Sequence, residues 1–326
     1  MSAENVREFA PEFYHCTLGP HEPALSLQAK DTLVTTCVDA GGMDADGNKI
    51  SPEQLAGPWG ARQQVSNPLT GPFFVDGAEP GDALAVRIEE VTPTRDWAWS
   101  GNWEEFGFFS IEELYGPTTF TRPQWAPQDQ RDFRWELDRD RGVGRLQLPR
   151  SRLQRIEIPL HPFLGCIGVC PERGETRMTM TPGRHGGNMD CPVVRAGATI
   201  YFPVFAPGGL LCMGDCHAAQ GDGEICGIAL EVSCQVRFTV DVVKGWTITW
   251  PRVEDDEHIM AIGSVRPLRA AYAVAHVELL EWLVRDYGFE RFEAYQVLSQ
   301  VGTTQVGNVV DPNYSVVARF PKRYLP

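Results

Sequence analysis

Glycine and proline recur at short intervals from the start of the chain to about Pro251, and this punctuation limits the fold more than any other feature. The 326 residues include 32 Gly and 25 Pro. Between the turns lie short β-branched and apolar runs, such as Thr32-Leu-Val-Thr-Thr-Cys-Val38 and Ala83-Leu-Ala-Val-Arg-Ile-Glu-Glu-Val91. Runs of this length, bounded by turn residues, read as strands. Their regular spacing predicts an all-β sandwich or barrel rather than alternating strands and helices. Pro80-Gly-Asp82 precedes the run at Ala83, and Arg195-Ala-Gly-Ala198 precedes Thr199-Ile-Tyr-Phe-Pro-Val204. The repeated turn-then-strand signal suggests two related β units.

The texture changes after Lys244-Gly245. Between Arg266 and Tyr287, Leu268, Ala271, Tyr272, Ala275, Leu279, Trp282 and Leu283 fall at intervals of three and four. That is the stripe of an amphipathic helix, and Gly288 is placed to end it. A shorter helix is expected at Arg291–Val301 and a last strand at Tyr314–Phe320. The fold class expected is therefore mainly β, with a C-terminal α+β portion containing two helices over 266–301. The charged stretch Gln128–Arg150 marks the expected boundary between residues 1–150 and 151–326. Aromatics crowd Trp97–Trp135, among them Trp99, Trp103, Phe106, Phe108, Phe109, Tyr115, Phe120 and Trp125. Such density lines a ligand site, covers a subunit contact or fills a core.

Composition narrows the function classes. The net charge is −14, whereas phosphate binding calls for clustered or excess Lys and Arg. Arginines do gather between Arg131 and Arg155, but acids interleave with them, as in a solvated connector. No run of about 18 apolar residues appears, so no membrane span is expected. Met1–Pro11 lacks the apolar core of a signal peptide. The nine cysteines have neither an even count nor zinc-ribbon spacing, which suits reduced thiols in the cytoplasm.

Two glycine-rich polar segments carry the candidate chemistry. In Gly208–Glu224 an apolar run, Leu210–Met213, ends in glycine, and Asp215, His217, Gln220, Asp222 and Glu224 follow. On a continuing strand Asp215 and His217 share a face. An oxygen donor beside an imidazole suits a divalent metal, and Gly221 and Gly223 let the chain return Glu224 to the same place. The other reading is a hairpin loop whose acids cap turns. In Pro182–Asp190, His185 and Asp190 flank Gly186-Gly187. One short β unit separates the two segments, so they can meet in space. Asp39, at the end of a strand, reads from spacing as a turn acid. His161, between apolar residues, reads as a structural histidine, and Asn67-Pro-Leu-Thr-Gly-Pro72 as a rigid ordered loop.

Together these motifs resemble the acetamidase/formamidase family. The likeness rests on Asn67–Pro72 with Glu79-Pro-Gly-Asp82, on His161-Pro-Phe-Leu-Gly-Cys-Ile-Gly168, on His185-Gly-Gly-Asn-Met-Asp190 and on Gly214–Glu224. Leu283-Val-Arg-Asp-Tyr-Gly288 and Glu293-Ala-Tyr295 continue it to the C-terminus. Nucleophile signatures of the nitrilase-like and Ser-Ser-Lys amidases are absent. The segment from about Trp97 to Arg155 looks longer than the family pattern, and His15-Cys-Thr-Leu-Gly-Pro20 departs from its usual opening.

The resemblance implies hydrolysis of formamide or acetamide to ammonia and carboxylate, a mostly-β fold, a divalent metal and a homo-oligomer. On this reading His185, Asp190, Asp215 and His217, with Asp39 as an additional donor, are the expected metal ligands. The metal is expected to be zinc, with an additional oxygen-ligated calcium or magnesium as an option. Glu224 would take a proton from the attacking water, and Asn188 and Gln220 would hold the amide. Two alternatives stand beside it. One is a cysteine nucleophile, Cys191 or Cys216. The other is a non-catalytic metal-containing β scaffold that binds a small ligand.

Overall fold

A computed structural model describes residues 6–56, 66–103, 106–109 and 130–326. Two large sheets carry the fold. The nine-stranded sheet runs in the order Val6–Phe9, Thr32–Cys37, Cys234–Val243, Ala83–Pro93, Thr199–Pro203, Arg252–Glu254, His258–Val265, Tyr314–Pro321, Thr303–Val306. The seven-stranded sheet runs Gly186–Asn188, Phe163–Gly168, Leu211–His217, Leu69–Val75, Tyr14–His15, Leu55–Ala56, with Leu25–Leu27 also pairing with Leu69–Val75. Leu33, Val86, Ile88, Ile200, Phe202 and Phe238 from the first sheet share one core with Phe73, Val75, Leu164, Ile167, Leu211 and Met213 from the second. This is the expected sandwich. Each fully buried Leu, Ile or Phe contributes roughly 1.5–3 kcal/mol of transfer free energy.

Period-two alternation decides what covers the outer face. On Tyr314–Pro321, Val317 points into the sandwich core while Val316, Ala318 and Phe320 point the other way. His258–Val265 divides likewise, with Met260 and Ile262 inward and Ile259 and Ala261 outward. The outward set is buried by α1 (Leu268–Tyr287) and α2 (Arg291–Val301). In α1 the buried residues are Ala271, Ala275, Glu278, Leu279, Trp282 and Leu283; of the stripe read in the sequence, Leu268 and Tyr272 are exposed instead, and Glu278, which was not in it, is buried. Gly288 closes the helix at φ 71°, a left-handed conformation that glycine adopts without steric cost. Glu290 caps α2 by accepting from Phe292 N and Glu293 N. Among the described residues no helix is long and apolar enough to cross a membrane.

Strands from either side of residue 150 lie next to each other in both large sheets, so the break expected at 128–150 does not coincide with a change of sheet. Gln128 and Asp129 lie outside the described residues. The segment that looked long for its family builds a four-stranded sheet: Trp97–Asn102, Arg131–Asp138, Val143–Leu148, Gln154–Pro159. The arginine-rich stretch expected as a connector is therefore largely strand. Trp135 and Leu137 alternate inward against the core, while Arg145 reaches across to Glu157 (2.7 Å) and Asp138 (3.0 Å) on the wet face. Tyr115, Phe120 and Trp125 lie outside the described residues.

Candidate functional site

The strand Leu211–His217 lies inside the seven-stranded sheet, between Phe163–Gly168 and Leu69–Val75. All seven of its residues are buried. Asp215 does not follow flat-strand alternation, because its backbone is left-handed (φ 52°). Asp190 and Glu224 share that conformation, at φ 48° each. A non-glycine residue held there costs on the order of 1–3 kcal/mol, a strain that clusters at functional sites. Gly165 faces the same point from the next strand. A Cβ on it would lie 2.8 Å from Asp190 Oδ1, Asp215 O and His217 Cε1 alike, so only glycine leaves room.

His217 is the hub. Gln220 Nε2 donates to the carbonyls of Asp190 and Gly307 (2.9 Å each), which turns Gln220 Oε1 toward His217 Nδ1 at 2.9 Å. Carbonyls only accept, so the amide orientation is fixed and Nδ1 carries the proton. Nε2 then faces Asp215 Oδ1 and Glu231 Oε1, each at 3.4 Å. A neutral ring would present a lone pair to two carboxylates, an arrangement that calls for a proton or a cation between them. Burial alone would lower the His217 pKa, but Glu231 and Asp215 outweigh it and hold it well above the usual imidazole value.

Two sets of donors meet here, Asp190 with His217 and Glu224, and Asp215 with His217 and Glu231. Within each, the ligand atoms lie within 4.8 Å of one another. Bonds of about 2.0–2.2 Å to one cation place donors roughly 3–4.5 Å apart, so the sets fit a divalent metal. Asp190 Oδ1, Asp215 Oδ1 and Glu231 Oε2 are buried with no hydrogen-bond partner among the described residues, which supports the same fit.

A ring of amides orients the acids. Asn67 Nδ2 donates to Asp215 Oδ2 (2.9 Å) and Asn188 Oδ1 (2.8 Å). Asn188 Nδ2 donates to Asp190 Oδ2 and Asp311 Oδ2, both at 2.9 Å. Asn308 Nδ2 reaches Asp190 Oδ2 at 3.1 Å. Burial, then the charge on Glu224, pushes Asp190 and Asp311 well above the usual carboxylate range. Burial raises Glu231 also, with His217 opposing. Glu224 is pushed up to about 7, by burial first, with His217 pulling back and Asp215 adding to the rise.

The structure therefore brings Asp190, Asp215, His217 and Glu224 together, with Asn188 and Gln220 at their backs. Both N–H groups of each amide are already engaged, which makes them positioning residues in this arrangement. His185 is buried but belongs to neither donor set, and burial, with Arg177 nearby, lowers it to about 3. Asp39 also lies outside both. Its carboxylate accepts from Arg95 Nη2 (2.6 Å) and Trp99 Nε1 (3.0 Å), both partners being side chains the spacing argument had not linked to it. Cys191 and Cys216 are fully buried. Burial raises the Cys191 thiol, and the Cys234 sulfur, with Cys37 opposing, raises Cys216.

Sequence reasoning missed Glu231, Asp311, Asn308 and the role of Gly165. Glu231 had a signal, since it is an acid inside the apolar run Ile228–Val232. Asp311, in an ordinary Asn-Val-Val-Asp-Pro turn, had none. A cavity of about 360 Å³ opens onto the acids, lined by Asn67, Asp215, Glu224 and Glu231 on one side and by Trp99, Trp103 and Phe106 among its other walls.

Fold and site together define a β-sandwich protein with a buried carboxylate–imidazole centre at the floor of a cavity. The chain belongs to the acetamidase/formamidase family, whose sequence profile matches residues 22–174 and 173–324. It is 30% identical over 223 residues to a formamidase of Methylophilus methylotrophus, covering 54% of this chain and 51% of that protein. To an acetamidase of Mycolicibacterium smegmatis it is 28% identical over 246 residues, covering 61% and 59%. The alignments thus span little more than half the length of these relatives. A solved acetamidase structure from Yersinia enterocolitica superimposes with TM-score 0.81 at 35% identity, covering 98% of this chain and 93% of the other. One from Bacillus halodurans gives 0.79 at 26% identity, covering 98% of each.

Proposed function

We propose that the chain hydrolyses a linear primary amide, with formamide and acetamide the smallest of the class, to ammonia and a carboxylate. The observation that carries this is the buried cluster of Asp190, Asp215, Glu224 and Glu231 around the single lone pair of His217 Nε2. Asp215, Glu231 and His217 would hold a divalent cation, zinc being the choice for mixed imidazole and carboxylate donors, with Asp190 beside them and Glu224 left uncoordinated as a base. His217 Nε2 can serve one cation, so an additional calcium or magnesium would rest on carboxylates alone. Such a cation supplies Lewis acidity toward an amide carbonyl and a water of lowered pKa. His185 and Asp39 have no part in the ligand set proposed.

The remaining work belongs to side chains. Gln220 fixes the tautomer of His217, and Asn67, Asn188 and Asn308 fix the carboxylates. Glu224, with a pKa near neutrality and a place on the cavity wall, accepts a proton from the attacking water and returns it to the leaving nitrogen. Buried, protonated thiols at Cys191 and Cys216 argue against a cysteine nucleophile. The test is ammonia release from formamide, acetamide and longer amides, with and without chelator. Release that chelation abolishes supports the proposal. Binding of amides without ammonia release would replace it with the ligand-binding scaffold. The homo-oligomer implied by the resemblance is checked separately, by sedimentation.

A further inference from the structure

Resting on the amide hydrolysis proposed above, we infer that the amide this site is built for carries a planar aromatic acyl group, as in an arylacetamide, held against Trp103, Trp99 and Phe106. An amide of four heavy atoms needs roughly the space of three or four waters, on the order of 100 Å³. The cavity measures about 360 Å³, so acetamide would leave most of it to water beside the reacting carbon. Trp99, Trp103 and Phe106 are part of its wall. Trp99 and Trp103 stack at 6.1 Å and 14°, and Trp103 and Phe106 follow at 6.1 Å. Both indoles are held by their N–H groups, Trp99 on Asp39 Oδ2 (3.0 Å) and Trp103 on Asp132 Oδ1 (2.9 Å). Asp39 is itself locked to the buried Arg95 at 2.6 Å. Rigid, pre-oriented ring faces favour a planar π-system, which stacks in offset or edge-on contact, over a puckered ring of equal volume.

The same wall is tied to the proton acceptor. The backbone of Trp99 exchanges hydrogen bonds with Glu231 at 3.1 and 2.8 Å, and Phe108 N donates to Ile225 O at 2.8 Å. A Cβ on Gly227 would strike Phe106 at 2.5 Å, so the turn after Glu224 lies directly against the aromatic loop.

The experiment compares kcat/KM for acetamide, cyclohexylacetamide and phenylacetamide in the protein as purified, with calorimetric binding of each. Phenylacetamide is expected to exceed acetamide by about tenfold or more, and to exceed cyclohexylacetamide. Trp103→Ala should lower the phenylacetamide-to-acetamide ratio by about tenfold, whereas Trp103→Phe keeps it within about threefold. A wild type that prefers acetamide, or that treats the two rings alike, overturns the inference, whatever the variants do. If no amide is cleaved, the proposed activity fails on its own account, and calorimetry decides this inference separately. Phenylacetamide binding that Trp103→Ala weakens upholds it, and no binding overturns it.

Discussion

Charge is buried in two places in this molecule, and the two are balanced differently. Under α1, Arg252 lies between the rings of Trp246 and Trp282 and donates to Glu278 at 2.8 Å and Asp286 at 3.2 Å. Its side chain is 1% exposed and that of Glu278 4%, yet positive and negative charges meet within the chain. At the cavity floor, Asp190, Asp215, Glu224 and Glu231 gather about one imidazole, and three of their oxygens have no hydrogen-bond partner among the described residues. Buried ions are tolerated when paired, so the first region is complete as it stands and the second asks for a cation from outside. The difference separates structural from functional acids without reference to any relative.

The largest effect should come from the hub. His217→Ala removes the donor shared by both ligand sets, and kcat/KM for any amide substrate should fall by about 10³-fold or more. Elemental analysis should show metal lost with it; retained metal and activity would break the comparison on the cavity side. Arg252→Met tests the other side. It leaves Glu278 buried without its ion pair and should cost about 3–5 kcal/mol in chemical denaturation, with activity of the folded protein within about twofold of wild type. Adding Glu278→Leu should recover part of that loss, since removing both charges is far milder than removing one.

A third effect is one of pH. The ordinary glutamate value is 4.5 and that of folded Glu224 is about 7. Between these values the folded chain keeps a proton that the unfolded chain has released. The stabilising contribution is therefore full below about 4.5 and is lost as pH rises through about 7. Metal-stripped protein should lose stability across that window, and Glu224→Gln should flatten the slope in urea titrations at several pH values. The smallest effect belongs to the thiols. Cys191→Ala with Cys216→Ala should change kcat/KM by no more than about twofold, beyond a stability cost of about 1 kcal/mol for each buried thiol. A hundredfold loss would restore the cysteine mechanism.

How much of this was legible depended on how local the cause was. The strands at Thr32–Cys37 and Ala83–Pro93 and both helices follow from turn spacing and periodicity, which are properties of adjacent residues. Asp215 with His217 was visible because the two are close in sequence, and Asp190 was visible in its glycine-rich segment, although its expected partner His185 lies outside both donor sets. Glu231 and Asp311 were not, because sheet pairing and a distant loop bring them to the centre. Asp39 shows the converse. Its turn-acid reading holds, since Met43 N donates to Asp39 Oδ1 at 2.9 Å, but only the approach of Arg95, 56 residues away, reveals the ion pair that keeps it from a ligand role. The arginine-rich stretch failed for a different reason: charge content hid the alternation of Trp135 and Leu137 with polar neighbours that makes Arg131–Asp138 a strand.

The central claim is that the uncompensated acids around His217 are completed by a divalent cation on which amide hydrolysis depends. Ammonia release by wild-type protein stripped of metal, measured before and after stoichiometric zinc is returned, tests it most directly. The account predicts negligible release from the stripped protein and recovery on zinc addition. Full-rate release from protein shown by elemental analysis to be metal-free would contradict it.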